Sequence, residues 1–108
     1  MIDLHELAMQ RSLAFHREIA RRLGRDSTVL DMARERVRGW MAENQHRPYV
    51  RQWARILEGT PESIASFLGD RSELAQELRQ SSPFAGALDP QERWRIWRKT
   101  RDLYESGR

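Results

Sequence analysis

Apolar residues recur every three or four positions along most of this chain, and no stretch alternates apolar and polar residues as a half-buried strand does. The first such segment runs from about Asp3 to Leu23. Asp3 and Glu6 have the spacing of a capping box, and Gly24 is a natural helix stop. One half of the helical wheel is apolar, so the segment is predicted to be an amphipathic helix. Its apolar positions are Leu4, Ala8, Met9, Leu13, Phe15, Ile19, Ala20 and Leu23.

Two more amphipathic helices are predicted in the middle of the chain. One begins at Ser27 or Thr28, where Thr28 and Asp31 have capping-box spacing, and continues to about Asn44. The other begins at Pro48, because proline suits the first helical position, and runs to about Glu58 before Gly59. The predicted apolar positions are Val29, Leu30, Ala33, Val37, Trp40 and Met41 in the first helix, and Tyr49, Val50, Trp53, Ile56 and Leu57 in the second.

Shorter elements follow. A short helix opens at Thr60-Pro61 and is broken by Gly69, and another opens at a predicted capping box formed by Asp70 and Glu73. An apolar loop (residues 81–88) comes next. Gly86 and a proline within it favour a fixed, shaped loop.

The last helix has the strongest start signal in the chain. The run Asp89-Pro90-Gln91-Glu92 combines an N-cap, a proline at the first position and a glutamate at the third. This helix is predicted to run from Pro90 to about Tyr104. The fold class is therefore all-α: a compact bundle of five or six short helices, forming a single helical domain over residues 1–108.

The charge of the chain is small but unevenly distributed. The formal net charge is only +3, yet 18 of the 19 basic residues are arginine. Arginine abundance is typical of GC-rich coding, and it also suits bidentate contact with carboxylate or phosphate. Residues 54–78 carry a net charge of −3, whereas residues 91–101 carry +4. The last helix is thus a cationic element on a nearly balanced body.

Several classes of protein are disfavoured by what the sequence lacks. It has no cysteine, which excludes disulfides and thiolate metal sites. No apolar run reaches the roughly 20 residues of a membrane helix, and the N-terminal residues lack a signal-peptide pattern, so we expect a cytoplasmic protein without membrane contact. No glycine-rich phosphate loop or nucleophile elbow is present, and we expect no enzymatic activity and no cofactor.

The histidines offer no metal site. His5 and His16 fall within the apolar arc of the first helix but lie about 16 Å apart along its axis, so no single ion can join them. We expect both to be partly buried, hydrogen-bonded core residues, while His46 sits alone in a turn. A catalytic role of His5 or His16 is the remaining enzymatic alternative.

The last helix carries the candidate binding residues. Its aromatic and apolar side chains cover an arc of about 180°, whereas one packing stripe needs about 100°. Arg93 and Arg101 lie four residues before and after Trp97, where either can stack on the indole. Tryptophan, tyrosine and arginine dominate interface hot spots. The predicted partner-binding residues are Phe84, Arg93, Trp94, Trp97, Arg101 and Tyr104.

Two other interpretations of this region remain open. Trp94 and Trp97 can instead close the bundle, with Phe84 and Leu88 filling the space before them. The cations on the opposite side of the helix, Arg95, Arg98 and Lys99, can instead contact nucleic-acid phosphates. A helix-turn-helix over residues 72–86 is disfavoured, because arginine occupies the usual glycine position of the turn and a proline interrupts the recognition helix.

The segment LRQSSPFAGALDPQERWRIWR, which begins at Leu78, resembles the C-terminal signature of small, all-helical bacterial proteins of unassigned function. Such proteins are often encoded as the small member of a two-gene unit, in the manner of toxin–antitoxin pairs. The resemblance covers about a fifth of the chain and implies a protein partner encoded by an adjacent gene. It is carried by Ser82, Pro83, Phe84, Ala85, Gly86, Pro90, Glu92, Arg93 and Trp94.

The sequence thus supports two hypotheses of different classes. The first is a non-enzymatic protein-binding module, an antitoxin-like inhibitor that occludes the active site of its partner. The second is a DNA-binding transcriptional regulator that uses the arginine-rich last helix. The wide aromatic arc would also suit a homodimer.

Overall fold

The computed structural model describes residues 3–44 and 46–107. Over these residues the protein is an all-α bundle of six helices with no strand, which confirms the predicted fold class. The helices are α1 (Leu4–Leu23), α2 (Ser27–Asn44), α3 (Pro48–Ile56), α4 (Pro61–Leu68), α5 (Glu73–Arg79) and α6 (Pro90–Ser106).

Side-chain caps fix where several helices begin. Asp3 caps α1 by accepting hydrogen bonds from the backbone amides of its second and third residues. The predicted capping box at Asp70 is wrong, because Ser72 caps α5 and accepts from the amide of Ala75 at 3.2 Å. Asp70 lies outside the helix. At the start of α2, the carboxylate of Asp26 accepts hydrogen bonds from both the backbone amide and the hydroxyl of Thr28.

Helix α1 is the centre of the bundle. It packs against α4, α6, α2 and α5, while α3 pairs with α2. The core is formed by residues of α1 to α5 and of the segments that follow α3 and α5. It includes Phe15, Ile19, Leu23, Val29, Leu30, Ala33, Val37, Trp53, Leu57, Ile64, Leu68, Leu78, Phe84 and Leu88. Helix α6 is peripheral: all 17 of its residues are described, and none is buried.

Three arginines hold the connecting segments in place. Each guanidinium donates hydrogen bonds to two backbone carbonyls at a helix end or in a loop. The carbonyl groups would otherwise be unpaired where helices end. The pairs are Arg34 with Leu57 and Gly59, Arg36 with Pro83 and Ala85, and Arg79 with Leu68 and Asp70. Part of the arginine content therefore organises the fold.

The apolar loop turns inward onto this core. Phe84 is only 1% exposed and packs edge-to-face on Trp53, with ring centroids 6.2 Å apart. The Trp53 indole in turn donates to the carbonyl oxygen of Leu78 at 3.1 Å. Gly86 adopts a φ of +85°, the left-handed region that favours glycine, and turns the chain back toward α6.

Candidate functional site

Helix α6 begins with a complete capping box. Asp89 accepts from the backbone amide of Glu92 at 2.9 Å, and the Glu92 carboxylate accepts from the amide of Asp89 at 3.4 Å. Accepting the Glu92 amide lowers the pKa of the Asp89 carboxyl, which therefore stays ionised at the positive end of the helix dipole.

The two ends of α6 are fastened to opposite ends of α1, so the helices run antiparallel. At the first turn of α6, Glu92 pairs with Arg22, which also pairs with Glu18 at 3.1 Å. Hydrogen bonding to Glu92 raises the pKa of Arg22. At the other end, the hydroxyl of Tyr104 donates to the carboxylate of Glu6 at 3.2 Å.

Trp97 is held between aromatic and cationic neighbours. It packs edge-to-face on Phe15 of α1, with ring centroids 6.3 Å apart. The guanidinium carbons of Arg93 and Arg11 each lie 6.0 Å from its ring centre. The predicted stacking of Arg93 is confirmed, and Arg11 is a second stacking residue that the sequence did not reveal. Trp97 is half-buried and belongs mainly to the α1–α6 contact.

The other aromatic residues of the predicted surface separate into different environments. Trp94 is 61% exposed at the edge of α6, so the alternative that it closes the bundle is wrong. Arg101 pairs with Glu105 at 3.1 Å instead of stacking on Trp97. Tyr104 lies half-buried in the seam with α1.

Phe84 does not belong to an exposed surface. Because its side chain is buried against Trp53, it cannot reach a partner while the core is intact, and the prediction of Phe84 as a binding residue is corrected. The exposed part of the surface is what we call the aromatic edge of α6: Arg93, Trp94, Trp97 and Arg101, which share one side of the helix at helical spacing.

On the opposite flank of α6, a groove of about 670 Å³ runs along the seam with α1. Of the cations proposed for nucleic acid, Arg95 and Lys99 line this groove, whereas Arg98 does not. Arg17 and Arg21 of α1 face them across the groove. The sequence did not reveal these two α1 residues as candidates, because only the packing of α1 on α6 places the two pairs together.

A smaller groove of about 410 Å³ lies between the first half of α1 and α5. His5, Arg71 and the amide side chains of Gln10, Gln76 and Gln80 are among the residues that line it. None of the predicted partner-binding or nucleic-acid residues lines this groove, but His5, a candidate of the enzymatic alternative, does.

The histidines differ from expectation in one respect. His5 is exposed, which corrects its prediction as a core residue. His16 is buried and hydrogen-bonded as predicted: Nδ1 is 2.7 Å from the carbonyl oxygen of Ser12, and Nε2 is 2.7 Å from the hydroxyl of Ser82. Burial lowers the pKa of His16 from 6.5 to about 4, and the charge of Arg79 acts in the same direction.

Ser82 and His16 are spaced like a nucleophile and its general base, but a substrate could not reach them. His16 is 3% exposed, and neither residue lines either groove. A lowered pKa also makes His16 a weaker base. The pair joins the apolar loop to α1.

Within residues 3–44 and 46–107, no group of three or more His, Cys, Asp or Glu side chains is arranged to hold a metal ion. None of the helices in the same residues combines the length and the apolar character that crossing a membrane requires.

Comparison of this chain with protein-family models, with curated proteins and with solved structures finds no match.

Proposed function

We propose that this protein is a non-enzymatic protein-binding module, an antitoxin-like inhibitor that acts in the cytoplasm and uses α6 to cover the active site of a partner encoded by an adjacent gene. The observation that carries the proposal is the exposure of Trp94. An indole left 61% exposed on a helix gains substantial apolar burial only when another surface covers it.

The surroundings of Trp94 support the same role. Arg93 and Arg101 flank it on the aromatic edge, and Trp97 provides a fixed base because it is held by α1. A pre-positioned aromatic cluster loses little conformational entropy on binding, which favours affinity. The aromatic edge is thus organised as the central contact of an interface, with cations at its rim.

The proposal is tested by pulldown of the tagged full-length protein, co-expressed with the adjacent open reading frame and treated with nuclease and moderate salt. The wild type is expected to retain a stoichiometric protein. Trp94→Ala should weaken its retention at least about tenfold, as loss of a hot-spot residue does. Met32→Ala is the matched control, because Met32 is 58% exposed but lies on α2.

A growth assay distinguishes inhibition from simple binding. The partner expressed alone should arrest growth, and co-expression of the wild type, but not of Trp94→Ala, should restore it. Recovery of nucleic acid alone, or retention of the partner by Trp94→Ala at the wild-type level, would reject the proposal.

The second candidate is the DNA-binding regulator. It is favoured by the position of Arg95 and Lys99, which face Arg17 and Arg21 without an intervening helix. In this case, binding to duplex DNA should weaken steeply with salt, and neutralising one phosphate-contacting cation should reduce the salt slope by about one. The two functions are compatible within one protein.

A further inference from the structure

We propose that the groove between α1 and α6 binds an acidic amphipathic helix of a partner protein. This inference goes beyond the proposed function, because the groove lies on the opposite flank of α6 from Trp94 and forms a second, separate contact surface.

The charge of the groove favours an acidic ligand. Four cationic side chains line it, namely Arg17, Arg21, Arg95 and Lys99, against two carboxylates. Both carboxylates are already engaged within the protein. Glu6 accepts from the Tyr104 hydroxyl, and Glu18 accepts from Arg21 and Arg22.

Three of these cations, Arg17, Arg95 and Lys99, are held in no salt bridge among the described residues. Arg95 is, however, close enough to Asp89 to add to the effect of the Glu92 amide in lowering the pKa of that carboxyl. An acidic side chain in the groove would provide carboxylates that arginine binds in bidentate geometry.

The floor of the groove distinguishes a helix from nucleic acid. Ile96 and Leu103 contribute apolar surface to the groove, and Leu103 is 62% exposed, while Leu13 is buried beneath them. A phosphate backbone is charged and polar and would cover this apolar floor poorly. An amphipathic helix does, through side chains spaced at i, i+3 or i+4 and i+7.

The length and polarity of the groove describe the ligand further. From Glu6 to Arg21 the wall formed by α1 is about 22 Å long, enough for about four helical turns. Arg17, Arg21 and Arg95 lie toward the end of α1 and the beginning of α6, and Lys99 lies near the middle of α6. Glu6 and Leu103 lie toward the opposite end. The bound helix should therefore carry its acidic residues near one end and apolar residues along its length.

The test selects ligands without assuming their sequence. Random peptides of about 16 residues, or about four helical turns, are displayed on phage and selected against the full-length protein. Enriched peptides should be acidic and show apolar residues at helical spacing. Synthetic versions are then measured by fluorescence polarisation against the wild type and two doubly substituted variants.

Reversing both groove charges in Arg95→Glu/Lys99→Glu should weaken peptide binding at least about tenfold. Arg25→Glu/Arg55→Glu changes the net charge equally at two exposed positions that do not line the groove, and it should weaken binding less than about twofold. Leu103→Ala should weaken binding several-fold while leaving the charge unchanged. Circular dichroism checks each fold, and Arg95→Gln/Lys99→Gln replaces the reversal variant if that one is unfolded.

Three results would overturn the inference: no enrichment above an unloaded support, enrichment of peptides without acidic residues, or equal binding by the two double variants. Groove-dependent binding of a random-sequence DNA duplex in place of peptide would also overturn it, in favour of nucleic acid. These results are independent of the pulldown with Trp94→Ala, so either proposal can fail while the other stands.

Discussion

The hydroxyl of Ser82 donates a hydrogen bond to Nε2 of His16 across 2.7 Å and so joins the apolar loop to α1. The direction of this bond follows from the other ring nitrogen, since Nδ1 faces the carbonyl oxygen of Ser12 and must carry the proton. The Ser82 oxygen also accepts from the backbone amide of Phe84 at 3.0 Å. In this arrangement the neutral imidazole accepts at Nε2, in line with the lowered pKa of His16.

Stability should consequently fall in mild acid. The unfolded state takes up a proton at His16 near pH 6.5 and the folded state only near pH 4, so the unfolded state binds more protons between these values. The free energy of unfolding should decrease by about 3 kcal/mol as the pH falls from about 6.5 to 4. Urea denaturation at a series of pH values measures it.

His16→Gln should remove most of this slope, and His5→Gln, at an exposed position on the same helix, should leave it intact. A wild-type slope that persists in His16→Gln would show that other groups cause the acid sensitivity.

Removing the Ser82 hydroxyl should destabilise the protein by about 1–3 kcal/mol, because it leaves His16 and the amide of Phe84 without a partner in a buried place. Ser81→Ala is the matched control, since no hydrogen bond of the Ser81 hydroxyl occurs among the described residues. Thermal unfolding of Ser82→Ala and Ser81→Ala decides the question. Equal melting temperatures would contradict the role of the bond.

Two aromatic residues of the C-terminal segment should respond to truncation in opposite ways. Phe84→Ala should cost about 3–5 kcal/mol, because it empties a buried position against Trp53. Trp94→Ala should change the free energy of unfolding by less than about 0.5 kcal/mol, since the indole is largely exposed. Chemical denaturation compares them, and a small effect of Phe84→Ala would mean that the loop is not part of the core.

Two glycines should also respond oppositely to alanine. Gly86→Ala forces a side chain into the left-handed region and should destabilise by about 1 kcal/mol, although nothing lies within 4 Å of the added carbon. Gly39→Ala, in the exposed interior of α2 with equally open space, should stabilise by about 0.5–1 kcal/mol. The melting temperatures should therefore shift in opposite directions, and shifts of the same sign would contradict the backbone argument.

Local signals were sufficient to predict the helices. Caps and apolar periodicity in the nearby sequence set the limits of α1 and α6. Prolines at the first helical position mark the starts of α3 and α4. The start of α5 was placed incorrectly at Asp70. Asp70 and Ser72 are both good N-cap residues, and the local sequence does not separate them. In the structure Ser72 caps α5, and the Asp70 carbonyl accepts from Arg79.

The environments of the site residues were harder to predict. Phe84 lies in a loop, where apolar residues do not recur at a helical period. A helical-wheel argument therefore could not predict that its side chain is buried. The 180° arc of aromatic and apolar residues on α6 did indicate that this helix has more apolar surface than one packing contact needs. Trp94 and Leu103, at the two edges of this arc, are exposed. Arg17 and Arg21 look like ordinary surface charges until α1 and α6, about 70 positions apart in the sequence, are packed together.

Helix α6 supplies no buried residue and packs mainly against one helix, so its opening should cost less free energy than global unfolding. Amide hydrogens of α6 should therefore exchange with solvent sooner than those of α4, which carries Ile64 and Leu68 in the core. A ligand that contacts both α1 and α6 must suppress this opening. Slower hydrogen exchange in α6 would then report occupancy even when the ligand leaves the average structure unchanged.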